Sequence, residues 1–174
     1  AAFRFVEYQT SDDGVTLRGA YGPAFVEQLG YVTEALRQDH DTRQAVLTIW
    51  RPCPAPSRDV PCTVSLQFLR RQDRLEAHVY MRSNDAWLGL PYDIFTFTQL
   101  QAGIAATLGI ETGTYRHTVG SLHLYERDRG AANVAATYGL RHGLLSPTGA
   151  ALTPAPSDLE AVFAWLAQGA DVLG

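Results

Sequence analysis

The chain has 174 residues, of which 46% are hydrophobic and 18% charged, a composition typical of one globular domain with a buried core. Its formal net charge of −4 gives no sign of the basic surface that nucleic-acid-binding proteins usually carry. Two cysteines do not make a disulfide framework, and neither an apolar run of membrane-spanning length nor a signal peptide is visible. We therefore expect a single cytoplasmic domain over residues 1–174 with free thiols.

The first third of the sequence predicts two strands and one helix. Residues 3–10 are predicted as a short strand. Pro23 suits the first turn of a helix, and apolar residues recur at helical spacing over residues 24–38, which predicts a helix with one buried face. A loop over residues 39–44 then leads into a predicted strand at residues 45–50.

Pro61 and Cys62 open a predicted hairpin whose strands cover residues 63–70 and 75–83. Pairing of these two strands places Cys62 at one end of the hairpin, beside Arg82 at the end of the return strand. Because a nearby cation lowers the pKa of a thiol, we expect Arg82 to favour the thiolate form of Cys62.

A second helix is predicted to begin at Asp93 and to stop at Gly109, with apolar residues along one face. By sequence alone, Asp93 would be an N-cap residue at even odds. A strand over residues 113–125 follows, and its end carries His123 and Tyr125. No pair of histidines or cysteines has metal-ligand spacing, so we expect no metal site.

The C-terminal part carries weaker patterns. Residues 126–136 are polar and small, and a final amphipathic helix is predicted to begin at Ser157, a good N-cap residue. Cys53, inside a proline-rich connector, is interpreted as a structural residue, and His117 as a surface or core histidine.

The order of the motifs in the middle of the chain resembles the thymidylate synthase family over roughly residues 19–125. The motifs that carry the resemblance are Pro61-Cys62, Arg82-Ser83-x-Asp85, Leu88-Gly89-Leu90-Pro91 with an aromatic residue after it, and Gly120-x-x-His123-x-Tyr125. The resemblance implies the thymidylate synthase fold, of α/β (α+β) class, in which a mixed β-sheet packs with long helices. The N-terminal part of the family domain is expected to be absent, and residues 126–174 to be divergent.

The resemblance also implies a role for each motif. Cys62 is the expected nucleophile, which adds to C6 of a pyrimidine, and Arg82 is expected to activate it and to hold the substrate phosphate. The other expected substrate contacts are Arg43, Ser83, Asp93, His123 and Tyr125, and the expected cofactor contacts are Asp85, Leu88 and Gly89.

Asp93 decides which reaction the resemblance implies. Thymidylate synthases usually carry Asn at this position, and Asp is the pattern of the cytidylate hydroxymethylase branch. A carboxyl group can accept a hydrogen bond from the cytosine amino group, and when protonated it can donate to N3. The expected activity is therefore C5 hydroxymethylation of CMP or dCMP, with 5,10-methylenetetrahydrofolate as co-substrate and no metal.

The loop over residues 39–44 resembles a family loop whose arginines reach the phosphate in the neighbouring subunit. Arg43 matches the first of those arginines, and Gln44 stands in place of the second. The resemblance therefore implies a homodimer with shared active sites.

Other functions remain open at this point. One is thymidylate synthesis, or methylation of UMP or CMP at C5. Another is an inactive family member that binds nucleotide or RNA. The latter is favoured because no counterpart is evident for the family's proton-relay glutamate or its C-terminal tail, and it is opposed by the intact pair of Cys62 and Arg82. The sequence does not decide whether the sugar of the nucleotide substrate is ribose or deoxyribose.

Overall fold

A computed structural model of the protein describes residues 17–52, 57 and 59–142. The predicted strand at residues 3–10, Cys53 and the predicted helix at Ser157 lie outside these ranges. The described elements are helices α1 (Gly22–Gln38), α2 (Gly89–Leu108) and α3 (Arg129–His142), strands β1 (Val46–Thr48), β2 (Thr63–Arg71), β3 (Arg74–Met81), β4 (Asn84–Asp85), β5 (Glu111–Val119) and β6 (Leu122–His123), and a 3₁₀ turn at Glu126–Asp128.

The main sheet has four strands in the order β1-β2-β3-β5. Strand β2 is antiparallel to both of its neighbours, β1 and β3, whereas β3 and β5 run parallel. Two parallel strands need a crossover connection, and α2 supplies it. Strands β4 and β6 form a second, two-stranded parallel sheet just beyond the ends of β3 and β5. The expectation of a mixed sheet packed with long helices is confirmed.

The hydrophobic core lies between one face of the main sheet and helices α1 and α2. The predicted buried face of α1 is confirmed, since Phe25, Leu29, Val32 and Leu36 are almost fully buried. Phe68 from β2 and Phe97 from α2 are both fully buried against it. Each such side chain contributes roughly 1.5–3 kcal/mol through burial of its apolar surface.

Helix α2 begins at Gly89, so the prediction that it begins at Asp93 is wrong. The reason lies just before the helix. The Asp85 carboxylate accepts hydrogen bonds from the backbone N–H groups of Trp87 and Leu88, at 3.1 Å each, so donors ahead of the first turn are already satisfied. Asp93 consequently lies inside the helix and is not its N-cap residue.

The C-terminal end of α2 agrees with the prediction that the helix stops at Gly109. Gly109 ends the helix with φ = 67°, the left-handed conformation that favours glycine. Within the helix, Gln101 is buried and donates hydrogen bonds to the backbone oxygens of Leu75 (2.7 Å) and Gly113 (3.2 Å), where the β3–β5 register shifts. This side chain ties the crossover helix to the irregular part of the sheet.

The predicted strand over residues 113–125 is in fact two strands, because β5 ends at Val119 and β6 covers only Leu122 and His123. The polar segment after it forms the 3₁₀ turn and α3, whose Val134 and Tyr138 are largely exposed. No described helix is both long enough and apolar enough to cross a membrane.

Candidate active site

Cys62 and Arg82 meet at the open end of the β2–β3 hairpin, as the sequence predicts. The Arg82 backbone N–H donates to the Cys62 carbonyl at 2.9 Å. The Arg82 guanidinium donates to the backbone oxygens of Pro61 and Val60, at 3.0 Å each, and its Nη2 lies 4.0 Å from Cys62 Sγ. The guanidinium also lies over the Trp50 ring, 5.4 Å from its centroid. These contacts fix the cation beside the thiol.

The Arg82 charge acts on the Cys62 thiol in the expected direction but does not decide the net shift of the thiol pKa. Burial raises the pKa of the Cys62 thiol, the nearby Arg82 charge lowers it, and the Asp93 carboxylate raises it again, so that the net direction is upward. Arg82 acts in the predicted direction, but the cost of burying a thiolate outweighs it.

Asp93 lies on the side of α2 that faces Cys62. Burial raises the pKa of Asp93 to about 6, and a hydrogen bond with the Asn84 side chain acts in the opposite direction. The carboxylate is near enough to Tyr21 and Tyr115 to raise the pKa of each phenol, in addition to their burial. Asp93 therefore exchanges its proton close to neutrality, in the middle of a group of ionisable side chains.

Tyr21 is a further member of this group and is not among the predicted site residues. It stands immediately before α1, where its ring stacks on Phe97 with centroids 6.0 Å apart. Burial and the charge of Asp93 raise the pKa of Tyr21 to about 12, and the Cys62 thiolate adds to this effect. The phenol is therefore a neutral hydroxyl close to both the thiol and the carboxyl group.

Pairing of β4 with β6 brings together the side chains expected to bind phosphate and sugar. Asp85 lies beside His123 in the register of this small sheet. Ser83 Oγ is 3.4 Å from His123 Nδ1, and the rings of His123 and Tyr125 meet edge to face at 4.9 Å. Arg127, which has no counterpart among the predicted site residues, lies over the Tyr125 ring at 4.8 Å. This group lies beyond the end of β3, where Ser83 directly follows Arg82 in the chain.

The three residues expected to contact a folate cluster at the start of α2. Asp85 holds the backbone of Trp87 and Leu88, but each carboxylate oxygen keeps a second acceptor site for the N–H groups of a pterin ring. Leu88 is half-buried and offers an apolar contact. A Cβ on Gly89 would lie 2.7 Å from Asn84 Oδ1, so this glycine is required by packing within the protein. Asp85 and Leu88 thus fit a folate, whereas the need for glycine at position 89 comes from its packing against Asn84.

Arg43 lies far from Cys62 of its own chain. Its carbonyl accepts a hydrogen bond from the Gln67 side chain at 2.9 Å, at the middle of β2. At the rise of a strand, Gln67 is roughly 17 Å along the chain from Cys62. Arg43 is exposed, so the described residues of one chain do not bring it to the thiol.

His117 does more than the surface or core role expected of it. Its Nε2 lies 3.2 Å from Asn84 Nδ2, its Nδ1 lies 2.6 Å from the Tyr115 hydroxyl, and its ring stacks on Phe97. Asn84 in turn lowers the pKa of Asp93, against the larger effect of burial. The alternation of polar residues along β5 is the only signal in the sequence that points to this side of the strand, and it does not show what the side chains meet.

The described residues contain no group of three or more histidine, cysteine or acidic side chains arranged to hold a metal ion.

The chain is similar to known proteins both in sequence and in structure. Residues 10–138 match the family model described as thymidylate synthase. Over 155 residues, 76% of this chain and 40% of the relative, the sequence is 33% identical to a deoxyuridylate hydroxymethyltransferase of Bacillus phage SP01. The structure is similar to a thermostable thymidylate synthase A from Bacillus subtilis, with a TM-score of 0.57 and 29% identity over 62% of this chain and 39% of that one. The chain spans about two fifths of the length of these relatives, and it belongs to the thymidylate synthase family.

Proposed function

We propose that this protein transfers a one-carbon unit to C5 of a cytidine nucleotide, CMP or dCMP, and that the product is the 5-hydroxymethyl nucleotide. The observation that carries the proposal is the position of Asp93, a half-buried carboxyl group beside Cys62. The pKa of Asp93 is raised to about 6. Family membership supports pyrimidine chemistry at C5, and the phage relative, named as a hydroxymethyltransferase, supports the hydroxymethyl product.

Cys62 begins the proposed reaction by adding as a thiolate to C6 of the pyrimidine, which makes C5 nucleophilic. Arg82 favours the thiolate and offers its guanidinium to the nucleotide phosphate, with Ser83 beside it. His123 and Tyr125 would bind the sugar hydroxyl from the neighbouring strand. A 5,10-methylenetetrahydrofolate held at Asp85 and Leu88 would supply the one-carbon unit.

Asp93 gives the proposed reaction its base preference. In the protonated form, one of its oxygens accepts from the cytosine amino group and the other donates to N3. That donation withdraws electrons from the ring as Cys62 attacks C6. Protonation also removes the negative charge that raises the pKa of Cys62, so a cytosine base that keeps the proton on Asp93 favours the thiolate.

The overall change balances with water as the oxygen source. C5 forms a bond to the methylene carbon that the folate would supply, the C5 proton leaves, and the bond between that carbon and tetrahydrofolate breaks, which leaves an exocyclic methylene at C5. Water adds to this methylene and loses a proton, and Cys62 is eliminated from C6 as a thiolate, which restores the double bond of the ring. A methyl product would require a hydride in place of that water.

A uridine nucleotide is the second candidate substrate, and the phage relative favours it, because that protein is named for deoxyuridylate. A neutral carboxyl group can serve uracil if its roles are exchanged, with its hydroxyl donating to O4 and its carbonyl oxygen accepting from N3–H. Asp93 therefore excludes uracil only if its proton is held on one particular oxygen.

Assembly as a homodimer with shared sites is part of the proposal. The distance between Arg43 and Cys62 in one chain agrees with a loop that serves a neighbouring subunit. Each active site would then combine Cys62, Arg82 and Asp93 of one chain with Arg43 of the other.

The product decides between the candidate functions. CMP, dCMP, UMP and dUMP are each incubated with 5,10-methylenetetrahydrofolate and analysed by mass spectrometry, with Cys62→Ala as the control. We expect a cytidylate to gain one carbon, two hydrogens and one oxygen. A gain without the oxygen would make the protein a methylase, and product from uridylates alone would make uridine the substrate. Nucleotide binding without any product would identify an inactive binding protein.

A further inference from the structure

We propose that Arg70 is a positioning residue, whose side chain holds the loop over residues 39–44 so that Arg43 is ready to bind the nucleotide phosphate in a neighbouring subunit. The inference rests on the proposed function, which supplies both the phosphate and the shared site. It gives a role to the contact between Arg70 and His40, which lies outside the predicted motifs and outside the reaction itself.

The Arg70 guanidinium joins the loop to the turn of the β2–β3 hairpin. Its Nη1 lies 2.8 Å from His40 Nε2, and its Nη2 forms an ion pair with the Asp73 carboxylate. A guanidinium only donates, so His40 accepts this hydrogen bond through Nε2 with a neutral ring. The hydrogen bond and the charge of Arg70 lower the pKa of Asp73, so the carboxylate stays ionised at neutral pH. Only 17% of the Arg70 side chain is exposed, which shields these contacts from water.

The hairpin turn gives Arg70 a fixed partner. Gln72 and Asp73 have φ of 49° and 58°, in the left-handed region that tight two-residue turns require. Aspartate is among the residues that adopt this conformation most readily. The Asp73 carbonyl also accepts a hydrogen bond from the backbone N–H of Glu111 at 3.3 Å, at the start of β5. The carboxylate that holds Arg70 is therefore attached to backbone that three strands keep in place.

A second side chain of β2 holds the loop from the other face of the strand. Gln67 Nε2 donates to the Arg43 carbonyl at 2.9 Å. Gln67 and Arg70 are separated by three positions, and side chains at an odd separation project from opposite faces of a strand. The loop is thus fixed at His40 on one face of β2 and at Arg43 on the other.

Hydrogen bonds within the loop connect these two fixed points. The Asp39 carbonyl accepts from the backbone N–H of Thr42 at 3.2 Å, and Thr42 Oγ1 accepts from the backbone N–H of Gln44 at 3.2 Å. Thr42 is 6% exposed. Within the part of the chain that the structure describes, no hydrogen bond or ion pair engages the Arg43 guanidinium. A cation on an ordered loop binds a phosphate with little further loss of conformational entropy.

The test removes either partner of the contact between Arg70 and His40. Arg70→Met keeps an unbranched apolar stem and has no donor, whereas His40→Phe keeps a ring and has no acceptor. Arg71→Met is the matched control, because the guanidinium of Arg71 donates to the Arg70 backbone oxygen on its own strand.

The first measurement is amide hydrogen exchange over residues 40–44 in the whole protein. We expect Arg70→Met and His40→Phe each to increase the exchange rate by roughly three- to tenfold, the effect of about one hydrogen bond. Arg71→Met should leave it at the wild-type value. The two changes together should have little more effect than either alone, since each removes the same contact.

The second measurement asks which subunit Arg70 serves. A heterodimer of Arg43→Ala and Cys62→Ala chains has one complete site, with Cys62 from the first chain and Arg43 from the second. Arg70→Met added to the chain that supplies Arg43 should raise KM for the nucleotide by roughly three- to tenfold with little change in kcat. The same change in the chain that supplies Cys62 should leave KM at the value of the parent heterodimer.

The outcomes separate this inference from the proposed function. Unchanged exchange in both Arg70→Met and His40→Phe overturns it, and so does a rise in KM that is equal for either placement of Arg70→Met. If no nucleotide is turned over, the proposed reaction is wrong, and calorimetry with CMP and inorganic phosphate decides the inference instead. Lower affinity of Arg70→Met together with faster exchange then supports it, and wild-type affinity overturns it.

Discussion

The Arg82 side chain binds the backbone that presents Cys62, and its Nη2 lies 4.0 Å from the sulfur. Its hydrogen bonds to the backbone oxygens of Val60 and Pro61 hold the loop and the cation as one unit. Five predictions follow from this arrangement and from the residues around it.

Cys62 should be the nucleophile. A 5-fluorinated cytidylate cannot lose a C5 proton, so with the folate present it should leave a covalent adduct on wild-type protein. Mass spectrometry of peptides locates the adduct at Cys62, and Cys62→Ala should bind nucleotide without forming it. Cys53 is the internal control, and an adduct at Cys53 or an active Cys62→Ala protein would refute the assignment.

The pKa of the Cys62 thiol should respond in opposite directions to two neighbouring changes. Arg82→Gln removes a charge that lowers this pKa and should raise it, whereas Asp93→Asn removes a charge that raises it and should lower it. The measurement is the pH dependence of iodoacetamide alkylation at the Cys62 peptide. Arg82→Lys keeps the charge and serves as the control. A shift in the same direction in both variants would contradict the electrostatic account.

Asp93→Asn should change the base preference. An amide donates to uracil O4 and accepts from N3–H, but its N–H group meets the cytosine amino group donor to donor. We expect kcat/KM to fall for cytidylate and rise for uridylate, and the swing can approach roughly 10⁴-fold at a site built on such hydrogen bonds. Equal losses for both nucleotides would show that Asp93 does not read the base.

Arg43 and Cys62 should complement each other between subunits. Arg43→Ala and Cys62→Ala proteins, each inactive alone, should recover activity when mixed and allowed to exchange subunits, because one site of each heterodimer has both residues. Sedimentation during the assay reports the oligomeric state. A fully active monomer, or mixtures that stay inactive after proven exchange, would exclude the shared site.

Gly89 should tolerate no side chain, in contrast to Gly30 in α1. A Cβ on Gly89 meets Asn84 Oδ1 at 2.7 Å, whereas a Cβ on Gly30 meets nothing within 4 Å. Gly89→Ala should lower the free energy of unfolding by about 1–3 kcal/mol, and Gly30→Ala should raise it by roughly 0.5–1 kcal/mol. Urea unfolding measures both.

If the contact with Asn84 destabilises Gly89→Ala, then Asn84→Ala should remove most of that loss of unfolding free energy in a double-mutant cycle. Additive losses would place the clash elsewhere.

The hairpin was predictable from the sequence, and so was the proximity of Cys62 to Arg82, because both depend on the pattern of residues close together in the chain. Pro61-Cys62, the turn, and Arg82 lie within one supersecondary unit, and β2 and β3 pair as their sequences indicate. The start of α2 was not predictable from its apolar pattern, since a carboxylate ahead of the helix, Asp85, sets the boundary.

Residues that depend on tertiary contacts were harder to recognise. His117 is one polar residue among several on β5, and its role becomes visible only when α2 and β4 place Asn84 and Phe97 against it. The pKa of Cys62 shows the same difficulty. A charge neighbour can be inferred from strand pairing, but the burial that outweighs it cannot.

The parallel pairing of β3 with β5 imposes an order on folding. The β2–β3 hairpin closes over a few residues, whereas β5 can join only after the whole of α2 has crossed the sheet. In a nascent chain, Cys62 can therefore meet Arg82 before Asp93 packs beside them. It can also do so before β6, which carries His123, pairs with β4. Attachment of β5 is the step that would complete the proposed nucleotide site.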